Sequence, residues 1–418
     1  MENDRMDNME KKRVIPFSPP DVGEDEIEEV ARTLRSGWIT TGPRTKEFEK
    51  RLSAFCRTQR TVCLSSATAA EELCLRLLGV GEGDEVIVPA YTYTATASAA
   101  IHCGAKVVFV DSVKDGDPVS RSPVMDLQGV ARAITARTKA IVPVDLGGIP
   151  CDYDALYRLV EDRRDRFVPA SPLQEQLGRI AIVADSAHAL GACRDGKMTG
   201  ELADMTSFSF HAVKNLTTAE GGSATWRLPG ADDDALYRRM QLFSLHGQDK
   251  DALAKNRPGA WEYDIIGTWY KCNMTDIMAA IGLRQLDRYP GMLQRRAEII
   301  SRYDATMDAL GVDHLRHYGE NYRSSGHLYL ARVPGFGTEQ RNRLIERLAE
   351  HGVSTNVHYK PLPMMTAYRE LGWDIKDFPN AYDYYSNEIT LPLHTLLSDE
   401  DIGYVLDRFA ESLKEIGR

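Results

Sequence analysis

Through the first two-thirds of the chain, short apolar runs alternate with stretches whose apolar positions recur every three or four residues. TVCLS (61–65), EVIVPA (85–90), KVVFVD (106–111), KAIVPVD (139–145), RIAIVAD (179–185) and MTSFSF (205–210) predict strands. TAAEELCLRLLG (68–79) and DYDALYRLVED (152–162) predict two of the helices between them. Runs with so few polar interruptions suit strands buried on both faces, and helical crossovers suit parallel pairing. The pattern therefore predicts a doubly wound, mostly parallel α/β domain with ligands at the carboxyl ends of its strands. DRRDRFVPASPLQEQLG (162–178) exceeds the usual connection length and reads as a surface insertion.

After about residue 287 the pattern changes. A helix is predicted at 290–310, followed by SGHLYLARV, a helix at 338–351, VSTNVHYK and a last helix at 399–416. Strands mixed with helices here predict a smaller α+β domain. The expected division is 15–287 for the large domain and 288–418 for the small C-terminal one.

Composition narrows the function classes. A hydrophobic share of 43% with 27% charged residues allows a sizeable core. The balance of 51 basic against 61 acidic residues, a net charge of −10 with no long basic run, argues against nucleic acid or an anionic membrane as partner. No stretch is long and apolar enough to span a bilayer, and MENDRMDNMEKKR lacks the apolar segment of a signal peptide. Seven cysteines without a CxxC pair read as reduced thiols of a cytoplasmic protein, neither a disulfide frame nor a metal site.

Four segments carry candidate chemistry. SFSFHAVKNLTTAEGG (207–222) places Lys214 just beyond a predicted strand, where a lysine is more often a solvated cation than a functional amine. RIAIVADSAHALGA (179–192) ends an apolar strand on Asp185, with His188 close behind; such a carboxylate can equally cap a helix or make an ion pair. Pyridoxal-phosphate (PLP) chemistry requires this combination, an amine for the Schiff base and an acid that keeps the pyridine nitrogen protonated. LSSATAAEE (64–72) enters a helix at Thr68, and helix N-termini attract anions, although Ser and Thr there are also ordinary caps. PAYTYTAT (89–96) ends a strand in tyrosines, of which Tyr93 can either lie against an aromatic cofactor or pack at the strand end.

Taken in this order, the four segments closely resemble the DegT family of sugar aminotransferases, within the fold type I PLP enzymes. The resemblance begins at SGWITTGP (36–43), continues through WYKCNMTDIMAAIGLRQL (269–286), and has echoes in GVSTNVHYKPL and EITLPLH. It implies that Lys214 carries PLP, that Asp185 holds the pyridinium, that His188 lies beside the ring and its hydroxyl, and that Tyr93 stacks on it. Thr68, the backbone at Ala69, and Ser209 match phosphate contacts. Asn273 matches a phosphate contact supplied by the partner subunit, which implies a homodimer with shared active sites. Thr40 and Thr41 fall where the family's substrate enters, and His246, Lys271 and His327 are candidates by position for a nucleotide-sugar's anionic tail. The reaction implied is transfer of nitrogen from glutamate to a nucleotide-linked keto-sugar, for cell-surface polysaccharide or glycan precursors, without a metal. WITTGP and FHAVKN are more similar to members acting at carbon 4 of UDP-sugars than to those acting at carbon 3 of dTDP-sugars.

Two positions depart from the family's commoner pattern: Asp145 stands where a histidine is expected, and Ser186 where alanine is usual. Retention of Lys214 speaks against the family's dehydrating branch, which uses histidine instead. A PLP enzyme acting on amino acids, as aminotransferase or lyase, would use an arginine clamp for the α-carboxylate, and none can be assigned. A non-catalytic regulatory protein on the same fold is a further alternative, against which the intact Lys/Asp/phosphate set counts. A Rossmann dehydrogenase is poorly supported, because no GxGxxG joins a strand to a helix.

Overall fold

The computed structural model describes residues 13–250 and 262–417. Its centre is a seven-stranded sheet built from β1 (Thr61–Leu64), β2 (Glu85–Pro89), β3 (Lys106–Val110), β4 (Thr138–Ile141), β5 (Ala181–Asp185), β6 (Met205–Ser209) and β7 (Gly222–Trp226). The spatial order is β1-β7-β6-β5-β4-β2-β3. Pairing is parallel from β6 through β3, and β7 alone runs antiparallel, between β1 and β6. Five of the seven strands are buried at every position, and for four of them (β1, β2, β4 and β5) this burial on both faces underlies the apolar runs in the sequence. The chain thus forms the mostly parallel α/β domain that its sequence predicts. β7, with the small-residue sequence GSATW, has no counterpart among the predicted strands.

Two helices precede the sheet, Glu24–Arg35 and Pro43–Cys56. The second is capped from a distance: Asp276 Oδ1 accepts the N–H groups of Gly42 (2.8 Å) and Thr45 (2.9 Å), and Oδ2 accepts that of Arg44 (3.1 Å). This carboxylate satisfies amides that a helix start leaves free, and it ties the Thr40–Thr41 loop to the segment around residue 273. The predicted insertion is anchored as well. Within it the short helix Pro172–Leu177 is tied to the end of helix Ala67–Leu77, where Ser171 Oγ and Gln174 Nε2 both donate to Leu78 O, at 2.6 and 2.9 Å.

The helix predicted at 290–310 is longer, running unbroken from Asp276 to Leu310 with Pro290 inside it. It therefore crosses the expected division at 287/288. Its first half (Ala279, Leu283, Leu286, Tyr289) packs with Phe48, Phe208 and Phe210 of the sheet domain. Its second half (Ile299, Ile300, Tyr303, Met307) enters a separate core with the helices Thr338–Glu350 and Asp399–Ile416. That second core backs a three-stranded antiparallel sheet, Asp313–His314, Tyr329–Arg332 and Glu388–Leu391. Residues 362–384 return to the large sheet, where Tyr368 and Phe378 meet Phe109 edge-on. Among the described residues no helix is long and apolar enough to cross a membrane.

Candidate active site

A cavity of about 490 Å³ opens at the carboxyl ends of the parallel strands. Lys214, Asp185, His188, Tyr93, Thr68, Ser209 and His327 all line it. The topology explains the convergence: β5 ends at Asp185, β6 ends at Ser209, and helix Ala67–Leu77 starts immediately after β1. Residues far apart in sequence are delivered to one rim because parallel strands all finish on the same edge.

Asp185 is buried, and its carboxylate is held from two sides. Thr96 Oγ1 donates to Oδ2 at 2.7 Å and the Ala187 N–H donates to Oδ1 at 3.1 Å. Because Thr96 spends its proton on Asp185, it accepts one from Thr92, 2.8 Å away. Burial raises the Asp185 pKa above the usual carboxylate range, while these donors and the Lys214 charge pull it back. Lys214 responds in the opposite sense: burial lowers its pKa to about 8, against the upward pull of Asp185. An ammonium that loses its proton near neutrality is a nucleophile in waiting.

Two histidine tautomers follow from their partners. The Gly147 N–H reaches His188 Nδ1 at 3.2 Å and can only donate, so the His188 proton sits on Nε2 and points to Tyr359 Oη, also at 3.2 Å. Asn215 Nδ2 donates to Ser325 O at 2.8 Å, which turns Asn215 Oδ1 toward His327 Nδ1 at 2.9 Å. His327 is therefore protonated on Nδ1 and keeps its lone pair on Nε2. The two rings lie 4.4 Å apart, and burial holds both well below the ordinary imidazole pKa. Two neutral imidazoles, one a donor and one an acceptor, thus flank Lys214.

The helix start has the character of an anion cradle. Ser66 caps it, its Oγ accepting the Ala69 N–H at 3.1 Å. Ala69, matched by sequence to a phosphate contact, does not line the cavity and has its amide committed to that cap; Ser66, Ala67 and Thr68 line the cavity instead. Gly222 presses against this turn so closely that a Cβ would lie 2.3 Å from Ala67 N, so the space beside the turn depends on a residue without a side chain. Tyr93, 58% exposed, presents its ring at the cavity mouth, 5.8 Å from that of Tyr359. An anion cradle, a low-pKa amine, a strand-end carboxylate and an open aromatic ring form a set that fits PLP.

Thr40, Thr41, His246, Lys271 and Asn273 stand apart from the cavity and gather at another edge. Asn273 donates to Thr41 Oγ1 and accepts from Lys271 Nζ, and Thr41 Oγ1 donates to Met274 O at 2.5 Å. The His246 N–H bonds Tyr270 O at 2.7 Å, with its side chain exposed. Asp145 and Ser186, the two departures from the common pattern, prove to be partners: Ser186 Oγ donates to Asp145 Oδ2 at 2.6 Å. Neither lines the cavity.

Sequence reasoning missed Tyr359, His358, Phe17, Thr96 and Glu71. The HY pair in VSTNVHYK was visible, but only the fold brings it over His188.

The chain matches the model of the DegT/DnrJ/EryC1/StrS aminotransferase family over residues 20–410. It is 35% identical over 408 residues to the spore coat polysaccharide biosynthesis protein SpsC of Bacillus subtilis, covering 97% of this chain and 98% of that one. The PMP form of the putative sugar aminotransferase Spr1654 from Streptococcus pneumoniae superposes with a TM-score of 0.93 at 56% identity, covering 96% of this chain and 100% of the other. Helicobacter pylori PseC, an aminotransferase involved in pseudoaminic acid biosynthesis, superposes with a TM-score of 0.83 at 26% identity, covering 96% and 100%. The chain belongs to the DegT/DnrJ/EryC1/StrS family and is a PLP-dependent aminotransferase.

Proposed function

We propose that the protein transfers the amino group of glutamate to the keto group of a nucleotide-linked sugar, supplying an amino-sugar for polysaccharide or glycan synthesis. The observation that carries the reading is the meeting of Lys214 and Asp185 in one cavity beside a helix start. Bound PLP supplies an aldehyde and an electron sink. Lys214 holds the cofactor and, once displaced by the donor amine, carries the proton that must move between donor carbon and cofactor. Asp185, fixed by Thr96 and Ala187, keeps the pyridine nitrogen protonated. Ser66, Ala67, Thr68 and Ser209 receive the phosphate, Tyr93 covers the ring, and His188 addresses its hydroxyl. The sugar is supported by the names of SpsC, Spr1654 and PseC.

The edge group of Thr40, Thr41, His246, Lys271 and Asn273 supports a two-fold homodimer, in which one protomer's edge completes its partner's cavity. A bulky anionic substrate needs hydrogen-bonding groups beyond the cavity rim, and two-fold dimers are the commonest closed assembly. The test is spectral. Glutamate alone should abolish the visible band of the PLP-loaded protein, and a keto-sugar nucleotide should restore it. 2-Oxoglutarate returns the band simply by reversing the glutamate half-reaction. Restoration by other α-keto acids as well as by any nucleotide-sugar would make the protein an amino-acid aminotransferase.

A further inference from the structure

Glu71 has no part in the roles above. It lies one turn beyond Thr68 on helix Ala67–Leu77, is only 1% exposed, and lines the same cavity as Asp185 and Lys214. Its half-buried neighbour Glu72 is paired with Arg76 (2.9 Å) and His102 (3.1 Å). Glu71 has no such company, and its Oε1 is buried without a hydrogen-bond partner among the described residues. The charged group that acts on it is Asp185, of like sign, and the facing thiols Cys74 and Cys103 offer no cation. Burial and the Asp185 charge hold the Glu71 carboxyl well above the usual carboxylate range.

A buried polar atom left without a partner marks a place where a partner arrives from outside. A neutral carboxyl has one proton to give and lacks a protein acceptor. The acceptor that the preceding section assigns to this turn of the helix is the cofactor phosphate. We propose that Glu71 is a further cofactor-binding residue, a neutral carboxylic acid that donates its proton in a hydrogen bond to the phosphate end of bound PLP. The proposal rests on the assignment of the phosphate to the helix start. It distinguishes Glu71 from a wall residue, because a hydrogen bond to a charged acceptor is selective for ligands that carry the charge.

The experiment titrates cofactor-free protein with PLP and, separately, with pyridoxal, which has the aldehyde but no phosphate. Glu71→Gln keeps a donor and should hold PLP within about twofold of wild type. Glu71→Leu and Glu71→Met should weaken PLP by about tenfold or more, as expected for a lost hydrogen bond to a charged group, and leave pyridoxal unchanged. The cofactor-free Leu and Met variants should melt no lower than wild type, since they remove an unpartnered buried polar group. Unchanged PLP affinity in both apolar variants would overturn the proposal, as would equal losses for PLP and pyridoxal. Wild-type protein that binds PLP no better than pyridoxal would overturn the phosphate assignment itself, and the Glu71 role with it.

Discussion

The inner wall of the cavity and the outer edge around Asn273 are built on opposite principles. On the wall, functional groups are withdrawn from water and their protonation is set by burial: Lys214 is lowered to about 8, and His188 and His327 are kept neutral. On the edge, Thr41, Asn273 and Lys271 satisfy one another, and His246 faces solvent. A wall of this kind can run proton chemistry from within a single chain. The edge groups, lying outside that chain's cavity, can only recognise something that comes to them. The contrast separates chemistry from recognition, and substitutions should fall into two kinds accordingly.

The largest effect belongs to Lys214, the one wall residue to which the proposed function gives both the bond to the cofactor and the moving proton. Lys214→Ala should lose at least about 10⁴-fold in turnover, since even the proton transfer alone is commonly worth 10²–10⁴. It should still bind PLP through the phosphate. Residual turnover within tenfold of wild type would break the comparison at its centre. The lowered pKa adds a sign that can be checked. Below pH about 8 the amine is protonated and cannot attack; above it the amine is free. PLP capture by cofactor-free protein should therefore accelerate with pH and level off above about 8, where an ordinary lysine would still be accelerating at about 10.

Asp185→Asn comes next. It preserves shape and can keep the Thr96 contact, but a neutral amide no longer favours a protonated ring nitrogen. Turnover should fall by on the order of 100-fold or more, and near-normal turnover of the PLP-saturated variant would count against the assignment.

The edge is tested by complementation. Asn273→Ala should lose activity through weakened PLP binding, and mixing this inactive protein with inactive Lys214→Ala should restore activity if each site draws on two chains. Random pairing of equal amounts makes about half the dimers hybrid, each with one intact site, so about a quarter of wild-type activity should return. No recovery despite proven subunit exchange would mean that each site is built within one chain.

Much of this arrangement was legible because burial on both faces forces apolar runs, and six strands of the large sheet announce themselves that way. β7 did not, because GSATW is small and polar. Its place is fixed by the close approach of Gly222 to the Ser66–Ala67 turn, a tertiary fact. The long helix was expected to start at Pro290, a residue that normally opens helices. Packing of Ala279–Tyr289 on the sheet and of Ile299–Met307 on the second core carries the helix through the proline. Within the site, Asp185 stood out as a strand end and Lys214 as a lysine just beyond one, both in recognisable company. Glu71 did not, because EE in an amphipathic helix reads as two surface carboxylates. One step of about 100° around the helix separates the buried, unpaired glutamate from the half-buried, ion-paired one.

The smallest expected effect lies behind the wall, at the pair of unusual residues Asp145 and Ser186. Asp145 accepts three hydrogen bonds, from Ser186 Oγ (2.6 Å), Cys151 N (2.9 Å) and Tyr153 Oη (2.9 Å), and burial nonetheless pushes it up to about 6. Ser186→Ala removes one donor and leaves a buried carboxylate with two. The loss should be about 1–2 kcal/mol of stability, with turnover nearly unchanged because neither residue lines the cavity. The sign with pH follows from the folded pKa, which lies above the unfolded value of about 3.9. The native state favours the protonated acid, so this stabilising contribution is present below pH about 4 and lost as pH rises through 6. Removing Ser186, which favours the charged form, moves the native pKa higher still. The variant's deficit should therefore be larger at pH 8, where Asp145 must be ionised, than at pH 5, where a proton can take the place of the lost donor. Thermal midpoints of wild type and variant at the two pH values measure this. Equal deficits at both would show that Asp145 ionisation does not set the loss, and a fall in turnover comparable to that of Asp185→Asn would show that the Asp145–Ser186 pair belongs to the chemistry of the wall and not to its support.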